Sequence, residues 1–138
     1  MPRYKALVAY DGTAYNGYQR QLAQPTVQGE VEKALYNITR QELTVIGAGR
    51  TDSGVHAIGQ VIAFDFDWGH ETVAMQRALN ARLPEDISIL ELAEAAPDFH
   101  PRFDAQRRAY RYYIYNQPIR HPRYRRQSWH LRRPLNID

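Results

Sequence analysis

Polar Arg3 and Lys5 give way to an apolar run from Ala6 to Tyr10, and the stretch Arg3 to Tyr10 (Arg-Tyr-Lys-Ala-Leu-Val-Ala-Tyr) reads as a strand. Asp11-Gly12 ends that pattern, and a polar loop runs from Thr13 to Pro25. Thr26 then stands at a helix N-cap position, and Val27, Val31, Ala34, Leu35 and Ile38 recur at helical spacing. Leu43 to Ile46 reads as a short strand that stops at glycines, and Val61 to Phe66 alternates as the next strand. Thr72 to Leu83 reads as a helix stopped by Pro84, Ile87 to Leu92 as a fourth strand, and Arg107 to Asn116 as a fifth. In the fifth, Tyr110, Tyr112 and Ile114 fall on one face and Arg107, Arg111, Tyr113 and Tyr115 on the other.

The order β-α-β-β-α-β plus an additional C-terminal strand predicts an α+β, ferredoxin-like fold, with two helices on one face of an antiparallel sheet. At 138 residues and 16.1 kDa the chain is expected to form a single domain over residues 1–138. With 43% hydrophobic and 24% charged residues, its composition is that of a folded protein, and disorder is not the default reading. Cysteine is absent, which excludes a disulfide scaffold, thiol catalysis and thiolate metal sites. The five histidines are scattered without metal-ligand spacing, so none reads as a ligand. No apolar run approaches the roughly 20 residues of a membrane span, and Met1-Pro-Arg-Tyr-Lys5 enters the first strand without a signal-peptide core. The expected location is cytoplasmic, with no membrane partner. The last residues, Pro134 to Asp138, read as the start of a further element, which predicts a fragment.

Charge is unevenly spread. From Phe99 to Arg133 there are ten arginines and one acid, Asp104, whereas the rest of the chain has eight basic and fourteen acidic residues. The same segment carries Phe99, Phe103, Tyr110, Tyr112, Tyr113, Tyr115, Tyr124 and Trp129. Arginine interleaved with aromatics suits phosphate neutralisation combined with base stacking. A solvated face with core tyrosines is the alternative, and the near-absence of acids favours nucleic acid.

The segment Gly47 to His56 (Gly-Ala-Gly-Arg-Thr-Asp-Ser-Gly-Val-His) places one aspartate, Asp52, among glycines and hydroxyls with Arg50 two positions upstream. A glycine-rich turn at a strand end holds a side chain up into a cleft. A dinucleotide loop is excluded because Asp52 takes the place of its last glycine and repels a pyrophosphate; a Walker A loop lacks its Gly-Lys-Ser/Thr. Asp52-Ser53-Gly54 matches the triplet of aspartic proteases, but Arg50 works against a shared proton and no second copy is present. A plain Asx turn, with Asp52 bonding only its own backbone, is the remaining structural alternative.

Gly49-Arg-Thr-Asp-Ser-Gly-Val-His-Ala57 followed by Gly59-Gln-Val61 resembles the active-site motif of the TruA family of tRNA pseudouridine synthases. Three further pieces occur in that family's order: Tyr10-Asp-Gly12 with the loop Tyr15-Asn-Gly-Tyr-Gln-Arg-Gln21, then Thr26-Val-Gln28, then Phe99-His-Pro-Arg-Phe103 running into Arg108-Ala-Tyr-Arg-Tyr112. The resemblance covers about residues 4–135, with Tyr18 where the family usually has tryptophan. It implies isomerisation of uridine to pseudouridine at positions 38–40 (tRNA numbering) of the anticodon stem-loop, without metal or organic cofactor. It implies Asp52 as the essential carboxylate, Arg50 as the arginine that fills the space of the flipped base and pairs with Asp52, and Tyr110 as the stacking tyrosine. His100, Arg102, Arg108, Arg111 and Gln60 lie in the same motifs and are candidate substrate contacts. A homodimer crossed by tRNA is also implied, as is a second, similar half closing the cleft. That half is absent here, so the 138 residues alone are expected to be nearly inactive. A non-catalytic ferredoxin-like RNA-binding module is the rival reading, although it has no use for Arg50-Thr-Asp52 on a glycine turn.

Overall fold

The N-terminal stretch becomes β1 (Arg3–Tyr10), whose Tyr4, Ala6, Val8 and Tyr10 are buried. The computed structural model describes residues 1–19, 21 and 24–136; Arg20 of the loop motif and Ile137 and Asp138 at the chain end lie outside the described residues. After β1 come α1 (Val27–Thr39), β2 (Ile46–Gly47), β3 (Ala57–Asp65), α2 (Thr72–Arg82) and β4 (Ile87–Ala95). The sheet order is β2-β3-β1-β4, antiparallel throughout. This is the expected βαββαβ arrangement.

Each helix forms where local chemistry dictates. Thr26 caps α1 by accepting from Gly29 N at 3.2 Å, and Val27, Val31, Ala34 and Leu35 turn one stripe inward. Arg40 closes it in the left-handed conformation (φ 59°). α2 buries Met75 and Leu79 and stops before Pro84, which disfavours helical backbone in the residue ahead of it. These side chains meet Tyr4, Ala6, Val8, Ile62, Phe64, Ile87 and Ile89 in one core on a single face of the sheet. Burying Leu79, Met75, Phe64 and Leu35 contributes about 1.5–3 kcal/mol each.

Two expectations about the strands of this sheet change. Leu43 to Ile46 gives only the two-residue β2, because α1 takes up the backbone groups a neighbouring strand would pair. Val45 N donates to Glu32 Oε2 at 3.0 Å, and Gln28 Nε2 donates to Val45 O at 2.9 Å. Pairing with β3 therefore starts at Ile46, opposite Ala63. Conversely β3 begins at Ala57, four residues earlier than the alternation indicates. A bulge against β3 between Val8 and Tyr10 brings Tyr10 opposite Ala57 and re-aims it at the end of β1.

The chain divides into two compact units, Met1–Gln106 and Arg107–Asp138. In the second, the expected strand from Arg107 to Asn116 shrinks to β5 (Ile114–Tyr115), paired in parallel with β6 (Trp129–His130). Among the described residues no strand is paired with 107–112, and alternation without a ladder partner leaves backbone groups to solvent. The predicted division of faces does not arise: Tyr110, Tyr112 and Tyr113 are all exposed. Asn116 ties this unit together, donating to Leu131 O and Arg133 O at 2.8 Å each and accepting from Leu135 N at 3.2 Å. Among the described residues no helix is long and apolar enough to cross a membrane.

Candidate active site

The loop after β1 and the turn before β3 are held together along their length. Gly12 N donates to His56 Nδ1 at 2.9 Å, a nitrogen that also lies 3.2 Å from Asp11 Oδ1. Gly54 N donates to Tyr15 O at 3.1 Å, and Ser53 Oγ bonds the same carbonyl at 3.3 Å. Tyr18 N donates to Thr51 O at 3.1 Å, and the Tyr10 hydroxyl meets Thr51 Oγ1 at 2.8 Å. Glycine makes this approach possible. A Cβ on Gly12 would sit 1.9 Å from Val55 O, and one on Gly17 would sit 2.6 Å from Thr51 O.

The loop has its own anchors. Tyr15 is buried and donates to Asp86 Oδ1 at 2.5 Å; burial first, then the Asp86 carboxylate, pushes its phenol far above the ordinary range. Burial also raises the phenol of Tyr10, against a smaller opposing effect of the Thr51 bond. Burial then Tyr10 raise Tyr18, whose hydroxyl has no hydrogen-bond partner among the described residues. Burial thus favours the neutral phenol at all three.

What this frame presents is Asp52. It opens a turn in which Val55 N donates to Asp52 O at 3.2 Å and Gly54 adopts φ +78°, the type II pattern. The carboxylate is exposed and accepts no hydrogen bond from the described residues, so the Asx-turn reading does not hold. Asp52 lines an open cleft of about 410 Å³ together with Asn16, Gln19, Gln21, Arg50, Thr51 and Ser53. Arg50 and Asp52 share the cleft without ion-pair contact, in contrast to the pairing the resemblance implies. Both are exposed, and hydrated charges gain little from closing such a pair. Among the described residues no second acid lines the cleft, so the shared proton that the protease reading requires has no second carboxylate there.

The other candidates are distributed as follows. Gln60, on β3, donates from Nε2 to Gly49 O at 2.6 Å, which fixes the backbone just ahead of Arg50. His100 organises its own turn: its Nδ1 accepts from Arg102 N and Phe103 N at 3.2 Å each, its N–H donates to Asp104 Oδ2 at 2.8 Å, and its ring stacks on Phe103 at 4.1 Å. Arg102 follows in that turn, exposed. Tyr110, Arg108 and Arg111 belong to the second unit and are exposed there, Tyr110 to 67%. That unit also carries a cleft of about 440 Å³ lined by Arg120, His121, Pro122, Arg123 and Arg125.

Sequence reasoning passed over the amides Asn16, Gln19 and Gln21 beside Asp52, and the hydroxyl contact behind it. The signal for the amides was a loop without aliphatic residues from Asn16 to Gln21. The Tyr10–Thr51 contact spans 41 residues and had none.

A family model described as tRNA pseudouridine synthase matches residues 6–104. Among curated proteins, the chain is 50% identical over 139 residues to tRNA pseudouridine synthase A of Moorella thermoacetica. It is 45% identical over 137 residues to the protein of that name from Pseudothermotoga lettingae, and 43% identical over 138 residues to that from Borrelia hermsii. These alignments cover 99–100% of this chain and 56% of each relative, so the chain spans about half the length of the curated relatives it matches.

Proposed function

Because this chain belongs to the tRNA pseudouridine synthase family, we propose that it supplies the aspartate-bearing half of an enzyme that isomerises uridine in tRNA, with Asp52 as the catalytic carboxylate. The observation that carries the reading is an exposed carboxylate on a turn braced from behind at Thr51, Ser53 and Gly54 and open to a polar cleft in front. A carboxylate that served only to hold its own turn would be bonded to it.

The reaction accounts for the residue types. The C1′–N1 bond breaks, the uracil turns while held, and C5 bonds to C1′ and gives up its proton. An ionised carboxylate attacks C1′ or removes the 2′ proton, and it offsets positive charge developing on the sugar. The target must leave the base stack to be reached. Arg50, in the same cleft, occupies the space the base vacates, and Tyr110 stacks on the uracil. Arg102, Arg108, Arg111, His100 and Gln60 contact the substrate or hold those that do. The anticodon stem-loop at positions 38–40 is the target the motifs favour, and the working enzyme is a homodimer whose second half completes the cleft. The basic cleft at Arg120, Arg123 and Arg125 favours an RNA backbone as partner.

Release of tritium from tRNA carrying C5-tritiated uridine tests the reaction, because C5 exchanges its hydrogen for C1′. The full-length gene product should release tritium and leave pseudouridine in the tRNA. Binding of tRNA with no release would favour the non-catalytic RNA-binding module instead.

A further inference from the structure

We infer that Tyr10 is a positioning residue for Asp52 and acts through Thr51. Thr51 stands between the two charged residues of the cleft and is held by its side chain and its backbone together. Its Oγ1 lies 2.8 Å from the Tyr10 hydroxyl, and its carbonyl accepts from Tyr18 N at 3.1 Å and rests on the bare Cα of Gly17. On the far side of Asp52, Ser53 and Gly54 are tied to Tyr15 O. Asp52 itself has no side-chain hydrogen bond among the described residues, so the location of its carboxylate is set by these neighbours.

Tyr10 is suited to that task. It ends β1 beyond the bulge, is only 5% exposed, and has its ring in the sheet–helix core. A packed phenol has two torsions and a hydroxyl at a fixed reach, and burial favours a hydrogen-bond partner such as the one Thr51 supplies. The β-branched threonine opposite has few χ1 choices, so one hydrogen bond transmits the position of the sheet to the main chain beside Asp52. Among the described residues, no other side chain of β1 hydrogen-bonds to residues 50–52. Thr51 is half-buried, whereas Arg50 and Asp52 on either side of it are exposed.

The inference rests on the reading of Asp52 as the catalytic carboxylate, and its test separates the two. Tyr10→Phe, Thr51→Val, the double variant and Thr51→Ser are assayed in the full-length gene product for kcat and KM by tritium release, with thermal unfolding alongside. Misplacing a reacting group by about 1 Å costs up to about a hundredfold in rate, so each single variant should lose about ten- to a hundredfold in kcat with KM within about twofold. The double variant should be no worse than the poorer single, because both remove one contact. Thr51→Ser, which keeps the hydroxyl, should recover most of the rate. A kcat within about threefold of the parent in both single variants, or losses that multiply in the double, overturns the inference. Should Tyr10→Phe fail to fold, Thr51→Val against Thr51→Ser decides it alone. Normal turnover by Asp52→Asn would instead sink the reading of Asp52; an inert Asp52→Asn beside fully active Tyr10→Phe and Thr51→Val sinks only the positioning role.

Discussion

Replacing Gly17 by alanine probes the frame behind Asp52 at its tightest point. Gly17 has φ +83°, and a Cβ there would lie 2.6 Å from Thr51 O, where ordinary contact begins at 3.4 Å. The two loops must part by about 0.8 Å, enough to weaken the Tyr18 N–Thr51 O bond of 3.1 Å or the Tyr10–Thr51 bond of 2.8 Å. Left-handed backbone costs a residue with a Cβ about 1–2 kcal/mol, and the lost hydrogen bond about 1 kcal/mol more. Restricting the unfolded chain returns about 0.4–1 kcal/mol. The expected net loss is about 2 kcal/mol. Gly69 is the internal control: it has φ +70° but open space around its Cα, so Gly69→Ala bears the backbone cost alone, about 1 kcal/mol or less. Urea unfolding of the two variants should therefore place Gly17→Ala lower by about 1 kcal/mol, and tritium release should fall for Gly17→Ala only. Equal stability losses, or unimpaired turnover in Gly17→Ala, would refute the argument that the loops touch at Thr51 and that the contact places Asp52.

Glu32→Ala leaves the buried Val45 N–H without its acceptor and should cost about 1–3 kcal/mol in the same unfolding experiment. The Arg3 guanidinium, through its hydrogen bond more than its charge and against the opposing effect of burial, holds Asp65 below the ordinary carboxylate value. A depressed value means that the unfolded chain binds the proton more readily. The contribution is therefore present above the unfolded value of about 3.9 and lost as pH falls through the folded one. Asp65→Asn should be less stable than the parent at pH 7, and the gap should narrow as pH falls below about 3.9, as denaturation across that range will show. For the basic cleft, Arg123→Ala should lower the slope of log K against log salt for tRNA binding by about 0.7–0.9, with little effect on kcat.

The fold was legible because period and punctuation agree along the first unit. Thr26 caps the helix it precedes, Pro84 stops the next, and Asp11-Gly12 ends the apolar stretch that forms β1. Failures occurred where side chains replace a ladder. Gln28 and Glu32 take the backbone of Val45, a contact across 13 to 17 residues that no local pattern reports. The Arg107–Asn116 alternation mixes tyrosines and arginines, which satisfies the pattern of a strand without supplying a neighbour to pair with. At the site, the glycine turn, Arg50 and Asp52 stood out as a run of unusual residues. Their support did not, since Tyr10, Tyr15 and Tyr18 read as ordinary strand and loop aromatics until their hydroxyls and backbone groups are seen to reach Thr51, Asp86 and Gly54.

Asp52→Asn keeps the size and shape of the side chain and removes only its charge and basicity, so it tests the central claim most directly. In the full-length gene product it should bind tRNA as the parent does and release no tritium from C5-tritiated uridines. Release at the parental rate would show that the carboxylate presented by the glycine turn is not the group that does the chemistry.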